Sequence, residues 1–99
     1  MGHDAVVKMR ASITLDAAGG RTTPIHPRAR TYRPHFVPEG SSSLLGVQFT
    51  NGPETMGPGE SGDVEFECLY SEVSYDDLQP GVRFAVVEGA RRVGSGVMR

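Results

Sequence analysis

The sequence predicts an all-β protein, a six-stranded antiparallel barrel or sandwich, with closure into a small barrel favoured. Three observations carry this. Six stretches alternate apolar and polar residues, the spacing of strands with one buried face. The 13 glycines and 7 prolines among 99 residues punctuate these stretches with turns, and no stretch has convincing amphipathic helical spacing. Closure is favoured because at this length it removes exposed sheet edges. One domain over residues 1–99 is expected, with 1–4 a disordered N-terminus.

From Ala5 to Leu15, Val7, Met9, Ala11, Ile13 and Leu15 share one side against Lys8, Arg10, Ser12 and Thr14, which predicts a long, half-buried first strand. Asp16-Ala-Ala-Gly-Gly breaks it. Thr23-Pro24-Ile25-His26-Pro27 then blocks a helix by fixing φ and removing amide donors, leaving an extended loop through Ala29. A second strand is expected from Thr31 to Val37, with Tyr32 and Phe36 on one face and Pro34 confining it to an edge or bulge. Leu45 to Thr50 is the third, with Leu45, Val47 and Phe49 inward. Met56 to Gly62 reads as an irregular crossing. The fourth strand alternates Val64, Phe66, Cys68 and Tyr70 with Glu65, Glu67 and Leu69; its charged face must meet water or a basic partner, because unpaired buried carboxylates are costly.

Ser71 to Pro80 leads into the closing hairpin, Gly81 to Met98, in which two alternating arms flank Glu88-Gly89. Val82, Phe84 and Val86, with Val93, Ser95 and Val97, form its expected core face; Arg83, Val87, Arg92 and Met98 point away. Pairing Val86 with Val93 and Val82 with Val97 favours a loop of about four residues, and a two-residue Glu88-Gly89 turn stays open.

The apolar content of 37% and charged content of 22% suit a soluble globular domain. No apolar run reaches the roughly 20 residues that span a bilayer. Met1-Gly2-His3-Asp4 lacks the charged-then-apolar pattern of a secretory signal, and Val6 stands where an acyl-anchor motif needs Ser or Thr. Cys68 is the only cysteine, so no internal disulfide forms, and a cytoplasmic location is expected. A lone strand cysteine reads as a small buried hydrophobe.

Net charge is −2, which gives the whole molecule no general attraction for nucleic acid. Its distribution is uneven. Up to Thr50 there are six basic and three acidic residues, and beyond it four basic and nine acidic. Between Ala17 and Pro38 no carboxylate occurs, while Arg21, Arg28, Arg30 and Arg33 are joined by His26 and His35. This segment is either a solvated loop or a phosphate-binding face with Tyr32 as a stacking platform. The shared parity of Tyr32 and Phe36 favours a core role for that ring.

No catalytic constellation emerges, so no enzyme activity and no cofactor are expected. His3, His26, His35 and Cys68 are too scattered for a metal motif. Asp76-Asp77 beside Tyr75 reads as a solvated turn, and Ser41-Ser42-Ser43 lacks the strand-to-helix setting of a nucleophile elbow.

Four segments in order, Gly19-Gly20-Arg21-Thr22-Thr23-Pro24, Tyr32-Arg33-Pro34-His35-Phe36, Gly57-Pro58-Gly59-Glu60 and the run from Val82 to Val97, resemble the C-terminal barrel, domain 3, of the translation elongation factor Tu family. The family pattern reads Gly-Gly-Arg-His-Thr-Pro, Tyr-Arg-Pro-Gln-Phe, Met-Pro-Gly-Asp and Leu-Arg-Phe-Ala-Ile-Arg-Glu-Gly-Gly-Arg-Thr-Val-Gly-Ala-Gly-Val-Val. The likeness runs from Val7 onward and implies a closed six-stranded antiparallel barrel that does no chemistry. In that family the barrel packs on the GTPase domain, holds the T-stem of aminoacyl-tRNA and contacts the exchange factor.

Carried over residue by residue, the resemblance implies RNA contacts from Arg21, Arg33, His35, Glu88 and Gly89. His35 replaces the family glutamine and Thr22 the family histidine. Val87 stands in place of an arginine, which removes one expected phosphate partner. No P-loop is present, so no GTPase activity is expected. The partners implied are tRNA or a similar RNA; the rival expectation is a protein-interaction or regulatory module that docks on a GTPase domain or another translation-associated protein. Net negative charge, Val87 and the acidic fourth strand favour the rival.

Overall fold

A computed structural model describes residues 8–99. The expected disordered 1–4 and the start of the first strand at 5–7 lie outside the described residues. Six strands follow in chain order: β1 (Lys8–Leu15), β2 (His35–Pro38), β3 (Leu45–Asn51), β4 (Ser61–Cys68), β5 (Arg83–Glu88) and β6 (Arg91–Met98). They close into a barrel with neighbour order β1-β4-β3-β2-β5-β6, and every pairing is antiparallel. Closure gives each strand two neighbours, as the edge argument requires.

Alternation places the core. Ala11, Ile13 and Leu15 of β1, Phe36 of β2, Leu45, Val47 and Phe49 of β3, Val64 and Phe66 of β4, and Phe84 and Val86 of β5 are all buried. Phe36 is the hub of the aromatic packing: its ring stacks on Phe84 at 4.0 Å and meets Phe66 edge-on at 4.9 Å. Such pairs add about 0.5–1.5 kcal/mol each beyond the area they bury.

The structure corrects several sequence expectations. β2 is shorter than Thr31 to Val37, because Pro34 has no amide donor for the ladder. The Tyr32 and Pro34 carbonyls still accept bonds from the amides of Phe49 and Val47. The loop expected to be wholly extended holds a single 3-10 turn, Pro27–Ala29, with proline at its first position, where the missing amide costs nothing. β4 begins at Ser61 and ends at Cys68. Tyr70 leaves the inward parity and lies exposed, its ring against Gly46, where a Cβ would come within 2.3 Å of it. Cys68 is only half-buried, with its thiol 3.7 Å from the Met9 sulfur.

The closing hairpin has a two-residue loop, shorter than the expected four and placed at Gly89-Ala90, one residue beyond a Glu88-Gly89 turn. Glu88 pairs with Arg91 across Gly89-Ala90, and Gly89 takes φ +62°. Val87 pairs with Arg92 but Val86 with Gly94, so Val93 is the extra residue of a β-bulge. The bulge reverses the parity of the returning arm. Gly94, Gly96 and Met98 face inward, while Ser95 and Val97 face out. On the first arm the expectation holds: Phe84 and Val86 are buried and Val82 packs against the core.

Candidate nucleic-acid interface at the barrel mouth

Glu88 shares the inward parity of Phe84 and Val86, so at the end of β5 it sets a half-buried carboxylate over the barrel mouth. A charge there requires partners. Two loops supply them. The Tyr32 hydroxyl donates to Glu88 Oε2 at 2.5 Å. Arg21 Nη1 donates to the same oxygen. Arg21 also donates from Nε to the Thr23 carbonyl and from Nη2 to Thr23 Oγ1, both at 3.1 Å, and its Cζ lies 5.3 Å from the Tyr32 ring centroid, within cation–π range.

The local sequence makes this meeting possible. Gly19 takes φ +82° after β1, and Gly20 passes so close to β6 that a Cβ would lie 3.1 Å from the Val93 carbonyl oxygen. The glycine pair thereby turns the chain so that Arg21 meets the hairpin tip. Tyr32 reaches the site from the other side, its ring edge-on to Phe49 at 5.1 Å. The body of the ring therefore packs on the core, as its parity with Phe36 predicts, while its hydroxyl serves the mouth. Burial first, then the hydrogen bond to Glu88 and the negative charge of Glu88, push the Tyr32 phenol well above its ordinary value, against the opposing pull of Arg21.

Of the expected RNA-contacting residues, Arg21, Glu88 and Gly89 come together at this mouth. His35 sits half-buried on β2, paired with Val87 and so one rung from Glu88. Arg33 is exposed, and among the described residues it makes no ion pair or side-chain hydrogen bond. The rest of the basic segment is partly spent inside the protein. Arg28 donates to the Gly52 carbonyl at 2.7 Å, and Arg30 pairs with Glu67 at 3.3 Å. Glu67 thus finds its basic partner on the same chain.

Sequence reading missed Arg91. It stands opposite Glu88 across the two-residue turn and donates from Nη1 to the Gly20 carbonyl at 3.3 Å. It puts a guanidinium at the tip that Val87 deprives of one. The spacing Glu-Gly-Ala-Arg carried that information once a two-residue turn was assumed. Tyr32's bond to Glu88 had no such signal, since the two are separated by 56 residues.

The mouth therefore holds two arginines and one carboxylate whose second oxygen, Oε1, accepts no bond from the described residues. It can accept a donor and bind an anion within one small area. Among the described residues no three His, Cys, Asp or Glu side chains gather where a metal could be held, and no helix is long and apolar enough to cross a membrane. No protein-family model matches the sequence.

Proposed function

We propose that this chain is a non-catalytic binding module of the elongation factor Tu domain 3 type that contacts tRNA or a similar RNA at the barrel mouth. The observation that carries the reading is the junction of Arg21, Glu88 and Arg91 around the Gly89 turn. An RNA backbone offers phosphates to guanidinium groups and a 2′-hydroxyl to a carboxylate oxygen, and that hydroxyl is what separates RNA from DNA. Arg91 and Arg33 supply the more exposed cations, and Glu88 Oε1 the acceptor. Arg21 holds Glu88 in place and contributes its charge from behind. The four-segment resemblance and the closed six-stranded barrel support the same reading.

Binding titrations with aminoacyl-tRNA, uncharged tRNA and a DNA duplex of similar length, at two salt concentrations, test it. The RNA should bind more tightly than the duplex. Arg33→Ala with Arg91→Ala should weaken RNA binding about tenfold and lower the salt slope by about one to two. Equal, weak binding to RNA and DNA would sink the proposal. A second reading, a module docking on a GTPase domain or another translation-associated protein, draws support from the net charge of −2 and from the self-pairing of Arg21 and Arg30, which takes cations out of the RNA-facing supply.

A further inference from the structure

The outer wall of the barrel carries a second feature, separate from the mouth. A groove of about 570 Å³ crosses β2, β5, β6 and β1 beside the Glu39–Ser41 turn. Barrel register defines its floor: Val37 pairs with Ala85, Ala85 with Ser95, and Ser95 with Thr14, all on outward-facing rungs. Arg83, paired with Val97, stands on one wall, and Arg92, paired with Val87, on the other. The β-bulge builds this arrangement, because it turns Ser95 and Val97 outward where continued alternation would have turned them into the core.

Of the two guanidinium groups in this groove, one is unpaired among the described residues and the other is held only by an exposed pair. Arg83 is exposed and makes no ion pair or side-chain hydrogen bond among the described residues. Among the described residues Arg92 has only Asp16, at 3.4 Å, and it remains 59% exposed. The Ser95 hydroxyl likewise has no hydrogen-bond partner among the described residues. Glu39 also lines the groove, its backbone amide bonded to the Arg83 carbonyl at 2.9 Å, so one carboxylate stands against the two guanidinium groups. The backbone groups of the floor are committed to barrel ladders, so an incoming chain cannot add as a strand and must be held by side chains.

We propose that this groove docks an extended acidic segment of a partner protein, small or apolar in its middle and carrying two carboxylates that engage Arg83 and Arg92. Arg83 and the Arg92 rung lie four residues apart along β5, which is ~13 Å, so carboxylates at positions i and i+4 of an extended segment match them. Ala85 and Ser95 are small enough for the segment's backbone to lie close over the floor, and Val37 and Val97 offer its apolar middle a surface. The two guanidinium groups act as charge-assisted donors at each end. This inference is independent of the RNA reading: it uses the outward parity of the hairpin, and the mouth uses the inward one.

Fluorescence anisotropy with a labelled peptide, Gly-Ala-Glu-Val-Ala-Val-Glu-Ala-Gly, tests it at low salt, with amide backbone shifts from nuclear magnetic resonance to locate the contact. The peptide should bind saturably and shift the amides of Ala85, Ser95 and Val97. Replacing both glutamates by glutamine, or moving them to adjacent positions, should weaken binding at least about fivefold. Arg83→Glu should abolish it, and Ala85→Trp should weaken it about tenfold or more by filling the floor. Arg83 is exposed, so its variant folds even where the tryptophan variant does not. Arg21→Ala should leave peptide binding unchanged, and an unaltered protein that binds the peptide but no RNA would count against the mouth alone. No saturation below about 1 mM, equal binding to the Arg83→Glu protein, or displacement of the peptide by a short RNA at equal charge would overturn the proposal.

Discussion

The two faces of one hairpin treat charge in opposite ways. On the inward parity of β5, Glu88 is met by Arg21 and Tyr32, both on Oε2. On the outward parity, Arg83 has no partner among the described residues and Arg92 only an exposed one. The difference follows from solvent. A half-buried carboxylate at the barrel mouth loses water and must be answered by the protein, whereas a guanidinium on the outer wall keeps its hydration until a partner displaces it. Self-paired groups therefore report first on the fold, and unpaired groups on what the surface can recruit.

The largest effect should come from breaking the hairpin that both faces share. Gly94 packs against β1 so closely that a Cβ would lie 2.5 Å from the Thr14 carbonyl oxygen. Gly94→Ala should cost about 2–3 kcal/mol in urea denaturation and weaken mouth and groove together. A surface that survived this change would be independent of the β1–β6 ladder.

Glu88→Gln separates the faces. It removes the charge that Arg21 and Tyr32 were placed to meet, and should cost about 1–2 kcal/mol, less than a fully buried pair because both partners keep some solvent. Groove binding should be unaffected. A double-mutant cycle with Tyr32→Phe should return a coupling of about 1 kcal/mol, and additive losses would show that the two side chains act separately.

Tyr32 gives the pH dependence its sign. The folded phenol holds its proton to a higher pH than the unfolded one, so its contribution is complete below about pH 10 and is lost as pH rises through the folded value. Absorbance titration should show a late tyrosinate step that Tyr32→Phe removes, and the wild-type protein should lose stability more steeply than that variant in strong alkali. The smallest effect is expected at Arg92→Ala. Its exposed pair with Asp16 should be worth less than ~0.5 kcal/mol to stability, while peptide binding at the groove should fall severalfold.

Strand identity and most of the core were legible in the sequence because a strand's period of two is a local property. Ile13, Leu15, Phe49, Phe66, Phe84 and Val86 fall inside as their alternation requires. The second strand was overextended because an alternating pattern continues through Pro34 although the hydrogen-bond ladder cannot. The returning arm keeps the expected inward Val93 and outward Arg92 but reverses Ser95, Val97 and Met98: the bulge at Val93 is decided by how β6 pairs with β5, and nothing local to Arg91-Arg92-Val93 declares it. Arg21, Glu88 and Gly89 were singled out together only by the family resemblance, while Arg91 depended on the turn length.

By itself the sequence determined an all-β chain, its turns and the inward positions of β1, β2, β3 and β5 and of Val64 and Phe66 on β4. It also determined an arginine-rich segment without carboxylates. Tertiary structure alone decided that this segment would be partly neutralised, since Arg21 reaches Glu88 across 67 residues and Arg30 reaches Glu67 across 37. It decided as well that Ser95 and Val97 would line an outer groove with Arg83. The physical reason is that alternation specifies which way a side chain points within its own strand, whereas closure and register specify which side chains meet.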